Sequence, residues 1–333
     1  MKFIDIPATN QRDFISQYSD KTNINPVAVE KDWWVSAVMR ALFSLPYADS
    51  MSFKGGTSLS KCWGLIERFS EDIDIAVDRD FLGFGGELSK TQVSDKLRRA
   101  ACTFVRETLQ YDLRYKMIEQ GVNADKFSVE VKITSVTTTD PETVYIHYTS
   151  LFDSSPYVVN TVKIEVSGRS MNEPLETVGL RSMLEDAYPS APFAEPAFGV
   201  PTVKPERTFL EKVCLLHEEY SKASGDIRCE RMSRHLFDLY KMGKAGIADI
   251  ALADKHLFRS IVEHRRKFIG LKGFDYDTLD PKFICIVPPD AVYEMWKEDY
   301  ERMIEFMSYG EQPAFGDVIT YIRDLNDRLR NEQ

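Results

Sequence analysis

The sequence predicts an α+β fold in which a mixed β-sheet with packed helices is followed by a helical second part. Strand-like segments, which alternate in polarity and are rich in β-branched residues, occur only in the first part. A stretch rich in proline and alanine covers 190–205, and beyond it most segments carry apolar residues at helical spacing. We therefore expect two domains, 1–189 and 206–333, joined by a linker over 190–205.

Strands are predicted only in the first domain. A short strand lies at Phe53, directly before a glycine turn, and longer strands lie at 72–77, 127–134, 144–151 and 158–167. These segments predict one sheet of about five strands, with helices packed on it.

Helices are predicted in both domains. The first covers 26–45, with Asn25 as its N-terminal cap and Pro26 at its first helical position. Its charged residue Lys31 is expected to face solvent. A second long helix covers about 90–110. The helical domain contains five further predicted helices, at 206–221, 231–244, 257–268, 289–308 and 315–330.

Composition limits the classes of protein to which the chain can belong. Its 333 residues are 43% hydrophobic and 28% charged, as in soluble globular proteins, and no apolar stretch is long enough to span a bilayer. The N-terminus lacks the apolar core of a secretory signal, so we expect a cytoplasmic protein with no membrane partner. Five widely spaced cysteines argue against a disulfide framework or a zinc site. A net charge of −10 argues against broad binding to nucleic acid but permits a local RNA-binding patch.

The most informative segment is a strand that carries two aspartates. Asp72 and Asp74 are separated by one residue, so both point to one face of the strand while Ile73 and Ile75 point into the core. Aspartate is uncommon in strands, which argues against an ordinary surface strand. Two adjacent carboxylates either bind divalent cations or repel each other and raise one pKa.

A glycine-rich turn precedes the aspartates. Gly55 and Gly56 lead into a short helix, whose unpaired main-chain N–H groups can bind a phosphate. The turn and the aspartates together predict phosphoryl or nucleotidyl transfer. Arg68 is expected to fix the aspartate strand. The residues expected to bind the nucleotide around the turn are Lys54, Gly55, Gly56, Thr57, Ser58 and Ser70.

Two-metal catalysis needs a third carboxylate from a neighbouring strand. Glu165 is a candidate because it shares one face of its strand with Lys163, while Ile164 points to the opposite face. Glu130 has a similar local pattern and is the alternative. Either glutamate could equally form a cross-strand ion pair.

The helical domain contributes further candidates. Lys212 lies at the edge of an apolar helical stripe, from which it could reach toward the first domain. Arg234 and Asp238 are four residues apart and are expected to form an ion pair on one helix face. His235 between them is expected to be packed or at the surface. The most basic stretch, expected to be a solvated helix face or an RNA contact, contains Arg259, Arg265, Arg266, Lys267 and Lys272.

The motifs together resemble a known family. The most specific segments are Phe53-Lys-Gly-Gly-Thr-Ser-Leu and Arg68-Phe-Ser-Glu-Asp-Ile-Asp. The less specific ones are Glu30-Lys-Asp-Trp-Trp-Val, Val162-Lys-Ile-Glu-Val, Glu211-Lys212, Arg234-His-Leu-Phe-Asp238-Leu and Asp299-Tyr-Glu-Arg-Met303. These segments resemble the AbiEii/AbiGii family of nucleotidyltransferase toxins, over nearly the whole chain. Many relatives have Arg-Asp where this chain has Arg234-His235, so only Asp238 is assigned the second acidic role.

The resemblance implies a DNA polymerase β-like nucleotidyltransferase fold with a helical C-terminal domain. It also implies a nucleoside triphosphate substrate, two Mg²⁺ ions, the 3′ end of a tRNA as acceptor, and a cognate antitoxin or a role in phage defence. Asp72, Asp74 and Glu165 would then hold the Mg²⁺ ions, Lys212 would neutralise the leaving pyrophosphate, and Asp238 would contact the nucleotide. Two alternatives stay open, namely nucleotide transfer to a protein side chain and nucleotide binding without turnover.

Overall fold

The chain forms two compact units in the computed structural model, which describes residues 2–70, 72–132, 142–153 and 159–331. The first unit consists of Met1–Cys62 and Phe69–Val203. The second consists of Lys204–Gln333 and the short segment Trp63–Arg68. The segment Trp63–Arg68, which was predicted to belong to the first domain, therefore groups with the second unit. Its sequence does not distinguish it from its neighbours.

The first unit is built on a seven-stranded mixed sheet, as the α+β prediction requires. The strand order is β3-β4-β5-β2-β1-β7-β6, with β2–β5 and β1–β7 parallel and the other neighbours antiparallel. The strands are Met51–Lys54 (β1), Asp72–Val77 (β2), Phe127–Val131 (β3), Glu142–Tyr148 (β4), Thr161–Ser167 (β5), Leu175–Leu180 (β6) and Phe198–Val203 (β7).

All five predicted strands are present, and two strands were not predicted. The prediction of a linker over 190–205 is wrong for its second half, because β7 pairs with both β1 and β6 inside the sheet. Val200 and Val203 of this strand are buried. Residues 133, 134 and 158, at the ends of two predicted strands, lie outside the described part of the chain.

Helices cover the apolar face of the sheet. The helix Pro26–Leu42 begins as predicted, with the Asn25 side chain accepting a hydrogen bond from the main-chain N–H of Val27, and it packs against β5. The predicted helix at 90–110 continues to Glu119. Apart from the three-residue turns Phe3–Asp5, Ala48–Ser50 and Ala124–Lys126, the remaining helical segments of this unit are Ala8–Thr22, Gly55–Lys61, the consecutive Gln92–Leu97, Arg98–Phe104, Val105–Leu109 and Gln110–Glu119, and Met183–Ala187.

The expectation that Lys31 faces solvent is wrong. Lys31 is 1% exposed and donates to the main-chain oxygen of Val159 at 3.0 Å. Its neighbours Glu30 and Asp32 are buried as well. Glu30 accepts hydrogen bonds from Ser150 and the main chain of Leu151, and Asp32 from Lys61 and the main chain of Met183. The helix is enclosed on all sides, so its charged residues need partners inside the protein.

The second unit is helical, as predicted. Its first helix, Pro205–Tyr220, packs against the three helical segments that follow. The segment Ile247–Ala253 was not predicted, whereas all five predicted helices are present. The helices are Pro205–Tyr220, Arg234–Lys244, Ile247–Ala253, Lys255–His264 continued by Arg265–Ile269, Tyr293–Met307 and Phe315–Asn331. None of the described helices combines the length and apolar character that crossing a bilayer requires.

Candidate active site

The two aspartates lie on one face of β2, as the alternation of the strand predicted. The parallel register with β5 places Asp72 opposite Lys163 and Asp74 opposite Glu165. These four side chains are half-buried, whereas Ile73 on the other face of β2 is fully buried. The sheet therefore holds three carboxylates and Lys163 on a single accessible face, which Lys54, opposite Asp74 on the neighbouring strand, shares.

Lys163 lies between two of the acids. Its Nζ is 3.5 Å from Asp72 Oδ1 and 3.5 Å from Glu165 Oε1. Partial burial by itself would lower the pKa of Lys163, but the charges of Asp72 and Glu165 outweigh it and raise this pKa. Sequence analysis gave Lys163 no role beyond a local ion pair, since the register that brings it to Asp72 has no local signal.

The carboxylates have the donor chemistry of a site for a hard divalent cation. Asp72 Oδ1 is buried and makes no hydrogen bond with the described residues. Carboxylate oxygens are the ligands that Mg²⁺ prefers, so the residues present fit such an ion. Within the described ranges, however, no three Asp, Glu, His or Cys side chains are already assembled closely enough to hold a metal ion. Binding an ion here would thus require the side chains to rearrange.

The structure separates the two candidates for the third carboxylate. Glu165 lies on β5, next to the aspartate strand, whereas Glu130 lies on β3, three strands away. Strands are spaced by nearly 5 Å, so Glu130 is roughly 14 Å from β2. Glu130 also lies 3.0 Å from the Nε2 atom of His147. Only Glu165 is positioned beside Asp74.

The glycine turn approaches the aspartate strand closely. Lys54 is paired with Asp74 in the β1–β2 register, and the helix Gly55–Lys61 begins directly after it. Gly55 has φ = +78°, and a Cβ atom at this position would overlap the carboxylate of Asp74. Glycine is therefore required here by both the backbone conformation and the space available.

The hydroxyl groups near the turn are engaged inside the protein. Thr57 and Ser58 are buried. Thr57 Oγ1 donates to the main-chain oxygen of Asp72 at 2.5 Å and lies 2.9 Å from Ser70 Oγ. Ser58 donates to the main-chain oxygen of Gly55 at 2.8 Å. These bonds tie the turn to the aspartate strand, and the predicted phosphate contacts of the hydroxyls stay predictions.

Lys212 and Asp238 lie together in the second unit. Asp238 is fully buried and accepts from Arg68 Nε at 2.7 Å, from Arg68 Nη2 at 2.8 Å and from Lys212 Nζ at 2.9 Å. Burial alone would raise the pKa of Asp238, but Arg68 and Lys212 outweigh it and hold this pKa well below its usual range. Arg68 and Lys212 are thus ion-pair partners of Asp238, and the expected pair with Arg234 stays a prediction.

His235 belongs to the same cluster. Its Nδ1 atom is 3.3 Å from Lys212 Nζ. Burial and the positive charge of Lys212 lower the pKa of His235 well below its usual value. Burial also lowers the pKa of Lys212, although Asp238 opposes this effect. The neutral imidazole can therefore accept a hydrogen bond from the Lys212 ammonium group.

The basic stretch of the second unit is only partly a solvated face. Arg265 forms a two-point ion pair with Glu218, at 2.7 and 2.5 Å, and both side chains are largely buried. Arg266 pairs with Asp277 at the surface. Arg259, Lys267 and Lys272 are exposed, as is Lys255 nearby.

Comparison with known proteins gives a family match and a similarity of fold. The family model described as nucleotidyl transferase AbiEii toxin, type IV TA system, matches residues 37–321. The nucleotidyltransferase toxin MenT4 of Mycobacterium tuberculosis H37Rv has a similar structure, with a TM-score of 0.50 and 18% sequence identity, over 96% of this chain and 89% of that one. JHP933 from Helicobacter pylori gives a TM-score of 0.44 at 14% identity, over 92% of each chain. No curated protein matches the sequence.

Proposed function

The chain belongs to the AbiEii family of nucleotidyltransferase toxins, and on this basis we propose that it transfers a nucleoside monophosphate to the 3′ end of an RNA, with tRNA as the acceptor. Membership makes the protein a nucleotidyltransferase that uses a nucleoside triphosphate, and it implies an antitoxin partner. The acceptor, the metal ions and the residue roles are the proposed part.

One observation carries the proposed mechanism: Asp72, Asp74 and Glu165 share one sheet face beside the glycine turn. This arrangement supports Asp72 and Asp74 as ligands of two Mg²⁺ ions and Glu165 as a further ligand. When bound, such ions would supply positive charge that stabilises the phosphates and would lower the pKa of the acceptor hydroxyl. Glu130 is not proposed, because two strands, β4 and β5, lie between its strand and β2.

The glycine turn would hold the substrate phosphates. Gly55 and Gly56 start a helix that the Lys54 side chain does not cap, so their main-chain N–H groups are candidates for phosphate binding. Thr57 and Ser70 would support this turn through their bonds to the aspartate strand. The α-phosphorus would then lie next to the aspartates, and pyrophosphate would leave on the opposite side from the attacking hydroxyl.

The proposed roles in the second unit rest on one charged cluster. Lys212 would neutralise negative charge on the leaving pyrophosphate, and Asp238 would contact the nucleotide. Both belong to a buried network with Arg68, in which each charge is held in a fixed position. Fixed charges can stabilise developing charge electrostatically, whereas direct contact of Asp238 with a nucleotide would require this network to open.

The proposed RNA acceptor is supported by a local basic surface. The exposed basic residues Lys255, Arg259, Lys267 and Lys272 lie close in sequence in a chain of net charge −10. Such a patch can contact a phosphate backbone even when the whole protein is acidic.

Labelled nucleotides test the proposal. The wild type is incubated with each α-labelled triphosphate, Mg²⁺ and total cell extract, and the product is then treated with RNase or protease. We expect RNase-sensitive label, lost in Asp74→Asn and retained in Asp78→Asn, a control just beyond the same strand. Thermal unfolding of Asp74→Asn should be nearly unchanged, because a repulsive carboxylate group adds little to stability.

Each other result identifies a different function. Protease-sensitive label would mean that a protein side chain is the acceptor. Absence of label with every triphosphate, combined with nucleotide binding, would indicate a binding protein without turnover. Full activity of Asp74→Asn would overturn the site assignment.

A further inference from the structure

Lys163 occupies a position that the proposed catalytic scheme does not use. The ammonium group lies 3.5 Å from one oxygen of Asp72 and 3.5 Å from one oxygen of Glu165, on the face that carries the candidate metal ligands. The acids and Lys163 come from adjacent parallel strands, so the backbone register fixes this grouping. Lys163 thus places a positive charge between Asp72 and Glu165.

We propose that Lys163 is a built-in counter-cation, whose ammonium group holds the space between Asp72 and Glu165 and must be displaced when a divalent cation binds. The inference rests on the proposed function, since it takes these carboxylates as the metal ligands. To the proposed function it adds Lys163 as a positioning residue. It also predicts that the lysine ammonium group and the divalent cation compete for the same carboxylates.

The charges on this face explain why a counter-cation is needed. Asp72, Asp74 and Glu165 would together place three negative charges on neighbouring positions of two strands. Repulsion between unit charges a few ångströms apart amounts to about 1 kcal/mol per pair even in water. Lys163 relieves part of this repulsion, and at the same time it repels an incoming divalent cation.

The geometry also indicates that the Lys163 side chain can move away from the carboxylates. Both ion-pair distances are long for a tight salt bridge, and Asp72 Oδ1 gains no hydrogen bond from Lys163 or another described residue. The side chain is about one-third exposed, at 34%. A flexible four-carbon stem can swing such a group into solvent, whereas a planar guanidinium would be held by two bonds. The contact is therefore suited to exchange.

Direct measurement of ion binding tests the proposal without reference to activity. Mn²⁺ is titrated into the nucleotide-free protein, and bound ion is measured by electron paramagnetic resonance of free Mn²⁺. Lys163→Met should bind Mn²⁺ about tenfold more tightly, the order expected for loss of a unit charge a few ångströms from a divalent ion. Lys163→Arg, which keeps the charge, should bind no more tightly than the wild type. The matched control Lys116→Met removes a half-buried lysine that pairs with Glu119 in the same unit and should leave Mn²⁺ binding unchanged.

A second readout is thermal stability. Without ions, Lys163→Met should unfold at a lower temperature than the wild type, because the carboxylates lose their counter-cation, and saturating Mn²⁺ should remove this difference. If Lys163→Met does not fold, Lys163→Gln serves for both measurements. Equal or weaker Mn²⁺ binding by the uncharged variant would overturn the proposal.

Asp74→Asn separates failure of this inference from failure of the proposed function. If Asp74→Asn binds Mn²⁺ as the wild type does, the metal assignment is wrong and the proposed mechanism falls with it. If Asp74→Asn loses binding while Lys163→Met is unchanged, only the counter-cation role is wrong.

Discussion

Replacing Asp238 by asparagine should destabilise the second unit strongly. Asp238 is fully buried, and Arg68, which binds it at two points, is only 2% exposed. Asparagine has nearly the same shape and can still accept one hydrogen bond. The variant nevertheless leaves Arg68 and Lys212 buried with no negative charge between them.

The expected loss follows from the burial of this pair. Removing one partner of a buried ion pair typically costs about 3–5 kcal/mol, because the remaining charge is left without compensation. We expect about 3 kcal/mol for Asp238→Asn, since the amide retains part of the hydrogen bonding. The neighbouring pair Glu67–Lys241 joins the same two segments at 2.7 Å, but Glu67 is 44% exposed. Glu67→Gln should therefore cost only about 0–1 kcal/mol.

Hydrogen exchange measures this difference locally. A chain of two compact units need not unfold in a single two-state transition, so a global midpoint would mix their contributions. Exchange of the main-chain amides of Arg234–Lys244, followed by mass spectrometry without nucleotide, gives the opening free energy of the helix that carries Asp238. If Asp238→Asn and Glu67→Gln lower this free energy equally, by less than about 1 kcal/mol, the reasoning from burial is refuted.

Two further predictions concern the glycine turn and a buried histidine. Gly55→Ala should reduce nucleotide incorporation by about a hundredfold or more, because its Cβ would displace Asp74; Gly64→Ala, where the space is open, should keep most activity, and equal activities would contradict the steric argument. Burial lowers the pKa of His217 below its ordinary value of 6.5. Below pH 6.5 the unfolded chain then binds a proton that the folded chain does not, so stability should fall as the pH falls. Urea denaturation between pH 5 and 8 should show this slope, and His217→Gln should weaken it; an unchanged slope in this variant would contradict the reasoning.

Local sequence patterns predicted most of the fold because they report burial directly. β5 alternates between buried and half-buried residues along its whole length, and β2 does so over its first four residues, which is the pattern the sequence shows. β6 has mostly exposed residues and lies at the sheet edge, so it carries no such alternation. β7 contains a glycine and Pro201, which are more typical of a linker. These two strands were missed for that reason.

Sequence patterns predicted only the part of the site that lies on a single strand, β2. Alternation along β2 was enough to place Asp72 and Asp74 on one face. The pairing of β2 with β5 depends on contacts distant in sequence, so neither the choice of Glu165 over Glu130 nor the position of Lys163 followed from local pattern. Arg68 and Asp238 are 170 positions apart, so no local sequence pattern predicts their ion pair.

The two charged clusters of the protein differ in a way that bears on their roles. Around Asp72 the acids are half-exposed, and Lys163 lies at a long distance from both Asp72 and Glu165. Around Asp238 the charges are buried, and the contacts are short hydrogen bonds to a guanidinium and an ammonium group. Weak, accessible pairing favours exchange of one cation for another, whereas tight, buried pairing opposes it. Charge-neutralising substitutions should therefore alter ion binding at the first cluster and folding at the second. If Lys163→Met changed stability as much as Asp238→Asn, this division would not hold.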